Sequence, residues 1–221
     1  MRKSKSTSDA ASPPVTRRKT RDVADLLHSA TEYLIATGQA ERALKAGNSA
    51  PSFRLPGHDG VEVASETLLR HGPMLVTFYT GLWFPACNRD LQAFESLRPS
   101  IEARGASLVG ISQQTVAENA KAHAQLKLGF PILSDRGGRV GQLFGVRWRI
   151  PELLRDLHRK NDIDLPVFNG DQSWTLPIPS RFIVDRAGLI AFSEINPGQS
   201  SRSPPRDALP VLDHLRHPHA A

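Results

Sequence analysis

The single cysteine of this 221-residue chain, Cys87, closes the run Trp83-Phe84-Pro85-Ala86-Cys87. Proline suits the first position of a helix, because the N–H it lacks would have no intrahelical acceptor there. The spacing therefore puts Cys87 in a helical first turn, where free backbone N–H groups and the positive end of the helix dipole favour an anion. For a thiol that anion is the thiolate, and helix N-termini are among the settings that bring a cysteine from about 8.5 down into the range of roughly 3.5–7.5. The chemistry open to such a residue is nucleophilic attack. Asp90 lies three residues further along the same helix, as a proton relay or as a structural hydrogen-bonding or ion-pair partner.

The elements that must hold this turn can be read on either side of it. Met74–Tyr79 is apolar, β-branched and aromatic, a buried strand, and Leu91, Phe94, Leu97 and Ile101 fall at helical spacing after Pro85. A strand follows at Ala106–Ser112, a helix at Val116–Leu126, a strand at Phe130–Leu133 and a helix at Arg139–Phe144. Such alternation implies right-handed crossovers and a parallel core. Upstream, Val23, Leu26, Leu27, Ala30, Tyr33 and Leu34 mark an amphipathic helix over Asp22–Leu44. The turn-rich stretch 47–60 reads as a β-hairpin around Phe53 and Leu55, and Leu68–Gly72 closes a short helix. Downstream, Arg147–Asp171 interrupts the alternation as an inserted excursion with a helical pattern in Leu153, Leu154 and Leu157. Arg181–Asp185 and Leu189–Phe192 flank a turn as a hairpin, 197–205 is loop, and Asp207–Leu215 is a last helix. The chain divides into a disordered basic tail (1–21), a helical extension (22–46), one domain (47–215, with the insertion at 147–171) and a short C-terminal tail (216–221).

Of the formal charge of +6, residues 1–22 carry +5, from seven Lys and Arg against Asp9 and Asp22. The body is close to neutral, and the leader is a Ser/Thr/Pro/Lys/Arg segment with too little apolar surface to fold alone. A lone cysteine excludes an internal disulfide and a cysteine-rich metal cluster. The three histidines His214, His217 and His219 lack accompanying ligands, so no metal is expected. No run of about 20 apolar residues marks a membrane span, and the N-terminus has no signal-peptide core, which points to the cytoplasm. No nucleotide-binding loop or Ser/His/Asp signature is present.

Five stretches in order resemble the peroxiredoxin-like branch of the alkyl hydroperoxide reductase/thiol-specific antioxidant family: Ala40–Gly60, Gly72–Leu91 (GPMLVTFYTGLWFPACNRDL), LVGISQQT at Leu108–Thr115, FPILSD at Phe130–Asp135, and IPSRFIVDRAGLIAF at Ile178–Phe192. The resemblance implies an α/β, thioredoxin-like fold, a central mixed β-sheet with helices on both faces, here with an N-terminal helical extension. It puts Cys87 at the position of the peroxidatic cysteine and Asp90 where the family commonly has a carboxylate. Trp83, Phe84, Pro85 and Pro179 are implied as the substrate pocket. The family carries Thr or Ser three residues before the cysteine, or a first cysteine in Trp-Cys-Pro-Tyr-Cys, where this chain has Phe84. It carries an arginine where this chain has Pro179, in a segment resembling a thioredoxin cis-proline loop. Arg181, two residues on and on the same strand face, is the candidate replacement cation, against a plain surface or salt-bridged arginine.

The function implied is a thiol peroxidase of the one-cysteine type, with no cofactor. It would reduce hydrogen peroxide or an organic hydroperoxide, with thioredoxin, glutaredoxin or a small-molecule thiol as reductant, and a homodimer is implied by family habit. The competing reading is a redox-inactive thioredoxin-fold scaffold, in which Trp83 and Phe84 offer an apolar patch to a partner. Nucleic-acid binding through the basic tail ranks last, since no groove-reading motif accompanies it.

Overall fold

A computed structural model describes residues 28–198 and 202–216 of the chain. A helix over 28–36, α1, leads through a left-handed Gly38 (φ 60°) into a 3₁₀ turn at Gln39–Arg42. The chain then forms β1 (Arg54–Pro56), β2 (Glu62–Ala64), α2 (Ser65–His71), β3 (Met74–Phe78), α3 (Pro85–Glu102), β4 (Ser107–Ser112), α4 (Val116–Leu126), β5 (Ile132–Ser134) and α5 (Arg139–Leu143). It continues with β6 (Arg147–Arg149), α6 (Glu152–Lys160), α7 (Leu165–Asn169), β7 (Thr175–Pro177), β8 (Ser180–Val184), β9 (Ile190–Ile195), a 3₁₀ turn at Pro205–Ala208 and α8 (Leu209–Arg216).

The central sheet has the order β5-β4-β3-β8-β9. β3, β4 and β5 run parallel, and β8 and β9 pair antiparallel against β3 and each other, so the sheet is mixed as expected. Because successive strand side chains point to opposite faces, β3 feeds two cores. Met74, Val76 and Phe78 join Phe144, Trp148 and Phe182 on one side, while Leu75 and Tyr79 join Leu91, Phe94 and Ile101 of α3 on the other. Each of these α3 side chains is about fully buried and contributes on the order of 1.5–3 kcal/mol of hydrophobic free energy, which is why the helix is held along its length.

Three expectations shift. The helix read over 22–44 is shorter: within the described residues it ends at 36, because Gly38 adopts the left-handed conformation that terminates a helix; residues 22–27 lie outside the described residues. The hairpin at 47–60 is real, but its second strand lies past Gly60, at β2. The excursion runs beyond Asp171, because β7 returns to pair antiparallel with β6, Trp148 opposite Leu176, and closes it at Pro177. Its Trp148, Ile150, Leu154, Trp174 and Leu176 bury themselves in the core on the β3 face opposite α3. The insertion is therefore packed on the domain rather than looped out.

Candidate active site

Thr80, Gly81 and Leu82 carry the chain from the end of β3 to α3. Gly81 holds φ 157°, and a Cβ there would stand 2.5 Å from Trp83 Nε1, so glycine is required for this close approach. The Leu82 N–H donates to Gln114 Oε1 (2.8 Å) and Asn88 Nδ2 donates to the Leu82 carbonyl (2.8 Å), tying the turn to the end of β4 and to α3. Pro85 occupies the first helical position as the sequence indicates, with Phe84 as cap residue. Cys87 falls in the first turn and is fully buried.

The turn differs from an open anion cradle in one respect. Pro85 has no N–H, and the N–H groups of Cys87 and Asn88 both donate to the Phe84 carbonyl, at 3.0 and 3.3 Å. The polar partner of the sulfur is instead the hydroxyl of Thr80, whose Oγ1 stands 3.1 Å from Cys87 Sγ. Thr80 is itself buried. A hydroxyl at that distance can accept from the thiol or donate to the thiolate.

Beside this pair lies a cavity of about 40 Å³. Thr80, Trp83, Phe84 and Pro179 form one wall, Trp148, His158 and Leu176 of the excursion another, and Ala30, Thr31 and Leu34 of α1, with Pro197, close it. Three of the four residues expected to form the pocket are therefore here. Pro85 is not, since it is exposed at the helix start. Pro179 follows a trans peptide; no cis bond occurs among the described residues, so the open question of a cis-proline loop resolves to trans. Phe84 is 2% exposed and packs with Cys87 and Tyr79, and Trp83 is half-buried against it at 5.6 Å between ring centroids. The apolar patch that the scaffold reading requires is turned inward.

Arg181 and Asp90 meet each other rather than the sulfur. Arg181 Nη2 is ion-paired with Asp90 Oδ1, and its Nη1 donates to Glu194 Oε2 (3.2 Å) and to the Ser203 carbonyl. Arg202 Nη1 reaches the second Asp90 oxygen at 3.1 Å, and the Arg181 guanidinium lies 5.0 Å from the Phe94 ring centroid. All four charged side chains are at most 14% exposed. Burial works against the Glu194 carboxylate, yet the Ser203 backbone N–H, the Asn196 and Ser203 side chains and Arg181 hold it below its ordinary range. The hydrogen bonds of Arg181 run to Asp90, Glu194 and Ser203 and not to Cys87. The cluster clamps the segment around residues 202 and 203 onto α3 and β9. Of the C-terminal histidines, His217 and His219 lie outside the described residues, and no metal-binding group of three ligands occurs among the described residues.

Sequence reading missed Thr80 and His158. Thr80 sits where the β3 run ends and has no helical or strand periodicity relative to Cys87. His158 belongs to a different element in the excursion, and only the closure of β6 on β7 carries it to the site.

The profile of the AhpC/TSA family matches residues 46–193. The crystal structure of peroxidoxin BcpB from Mycobacterium tuberculosis superposes with a TM-score of 0.61 at 25% identity, covering 78% of this chain and 97% of that one. Peroxiredoxin Q, chloroplastic, of Oryza sativa subsp. japonica is 27% identical over 146 residues, 66% of this chain and 57% of that protein. Its counterpart from Populus jackii is 30% identical over 144 residues, 65% of this chain and 57% of that protein. With the family profile spanning more than half of its length and its thiol at the strand-to-helix turn, the chain belongs to the AhpC/TSA family, as a peroxiredoxin-like member with a thioredoxin-like fold.

Proposed function

We propose that the protein is a thiol-dependent peroxidase of the one-cysteine type. The observation that carries this reading is the Cys87 sulfur, buried in the first turn of α3 and 3.1 Å from the Thr80 hydroxyl. The thiolate attacks one oxygen of a hydroperoxide, the O–O bond breaks, and Cys87 becomes a sulfenic acid while an alcohol or water leaves. The reacting pair needs a donor aimed at the sulfur and peroxide. Phe84 has no hydroxyl to give, and Thr80 supplies one from the end of β3.

With one cysteine in the chain, the sulfenic acid is returned by external thiols. A first thiol condenses with it to a mixed disulfide and water, and a second releases Cys87 and leaves as the disulfide. Thioredoxin, glutaredoxin or a small thiol fits this role, and a reducing compartment such as a cytoplasm would supply it. A homodimer belongs to the same proposal. Among the described residues no helix is long and apolar enough to cross a membrane.

The test is intact-mass spectrometry after brief exposure of the reduced protein to near-stoichiometric peroxide with a sulfenic-acid trap. Rapid labelling that disappears in Cys87→Ser is expected. Labelling no faster than that of an ordinary free thiol would overturn the peroxidase reading and return attention to a binding role.

A further inference from the structure

His158 is a buried titratable side chain that the reaction above does not use. It sits on α6, in the excursion, and is 3% exposed. Its Nδ1 lies 2.7 Å from the Leu154 carbonyl. A carbonyl only accepts, so Nδ1 carries the proton and Nε2 keeps a lone pair. No hydrogen bond from another described residue to Nε2 is formed. The ring stands edge-on to Trp83 (5.7 Å, 76°) and to Trp174 (6.4 Å, 81°), which fixes its plane. It lines the same cavity as Thr80, and the 40 Å³ there exceeds the roughly 10–15 Å³ that one water needs. Of the other polar wall groups, Thr31 Oγ1 already donates to the Pro197 carbonyl, and Trp83 Nε1 is buried with no partner.

We propose that His158 is the proton acceptor for Cys87, reached through the Thr80 hydroxyl and water held in this cavity. Cys87 S–H gives its proton to Thr80 Oγ1, Thr80 passes its own to water, and water passes one to His158 Nε2. The sulfur lone pair then forms the S–O bond, the O–O bond breaks, and the leaving oxygen recovers the proton by the reverse path. Thiol and hydroperoxide become sulfenic acid and alcohol or water, with the imidazole restored. His158 acts through other groups and is a relay residue. The second half of this sequence rests on the peroxidase reading; the proton transfer rests on the cavity alone.

Burial keeps the imidazole below its ordinary value, partly offset by the Leu154 carbonyl, so it is neutral and ready to accept at neutral pH. The charged groups around it are Arg155 and Arg159, whose guanidiniums lie 5.6 and 4.8 Å from the Trp174 ring centroid and which pair with Glu152 and Asp156. Toward α3, Thr80 shares the cavity with His158, and its hydroxyl stands 3.1 Å from Cys87 Sγ.

The experiment compares the full chain with His158→Asn, whose amide retains a donor for the Leu154 carbonyl but no base. The rate of Cys87 modification is followed against pH with two probes, hydrogen peroxide and iodoacetamide. In the unaltered protein both rates are expected to hold their plateau down to below the ordinary histidine value of about 6.5. In His158→Asn both fall at least about tenfold at neutral pH and rejoin the unaltered protein above about pH 9, where hydroxide ionises an ordinary thiol. Profiles that superimpose, or a loss by one factor at every pH, overturn the relay. A His158-dependent iodoacetamide profile in a protein that peroxide does not oxidise keeps the relay and removes the peroxidase. Thr80→Val provides a second cut in the same path: its iodoacetamide profile is expected to show the same loss and recovery, and a loss independent of pH overturns the proposal even if His158→Asn does not fold.

Discussion

Cys87 and Asp90 stand one turn apart on α3 and meet opposite surroundings. The sulfur meets the Thr80 hydroxyl, and Thr80 in turn lines a small cavity with His158, so the polar groups on this side carry no charge. Asp90 faces two arginines, and through Arg181 reaches Glu194, in a buried cluster of two positive and two negative side chains. The difference separates two tasks. A fully charged network is expensive to desolvate and tolerates no missing partner, so it suits holding a terminal segment in place. Neutral groups can exchange protons at low cost, so they suit the reacting end. The candidate cation Arg181 thus serves the frame of the site, and its charge is already neutralised before any substrate arrives.

Arg181→Leu should break this division most visibly. It leaves Asp90 buried with one of its two arginines and Glu194 with no cationic partner among the described residues, and a loss of roughly 3–5 kcal/mol in unfolding free energy is expected, measured by urea denaturation. The oxidation rate of Cys87 in the folded protein should change little. If that rate collapses while stability holds, Arg181 belongs to the reacting end after all.

Removing the Thr80 hydroxyl acts on the other region. Thr80→Val should slow Cys87 oxidation by about 10²–10³, the usual cost of one lost donor at a reacting centre, with only a modest change in melting temperature. Thr80→Ser should recover most of the rate in the same stopped-flow assay. Equal rates in all three proteins would leave the sulfur without the partner assigned to it.

The smallest effect concerns acid. Glu194 is held below its ordinary value of 4.5, so its ionised form adds stability above that pH and the contribution is lost as pH falls through its lower, folded value. Melting temperature followed from neutral pH downward should therefore decline more gently in Glu194→Gln than in the unaltered protein. A decline of identical slope would remove Glu194 from the acid-sensitive part of the clamp.

Much of the frame was legible because its signals are local. Pro85 before Cys87 announced the helix start, the β3 run is buried on both faces because its apolar residues are continuous, and α4 begins where Thr115 caps it by accepting from the Glu118 N–H. The boundaries that moved did so for tertiary reasons. β5 starts at Ile132 rather than Phe130 because its register is set by pairing with β4, Gly110 opposite Ile132. The last helix begins at Leu209, after a 3₁₀ turn at Pro205–Ala208 that packs against α3.

The sequence alone determined the strand-to-helix turn, the identity of its thiol and the family order of elements, since each rests on residue types within one or two turns of one another. It also determined that a second thiol of the same chain cannot complete the cycle. What tertiary structure decided is the company each group keeps. Arg181 and Asp90 were both visible, but only the pairing of β8 with β3 and the packing of β8 on α3 joined them to each other instead of to Cys87. Thr80 and His158 acquired their place because the end of one strand and a helix of the closed excursion converge on the same small space. Such convergence depends on long-range packing, and no spacing along the chain encodes it.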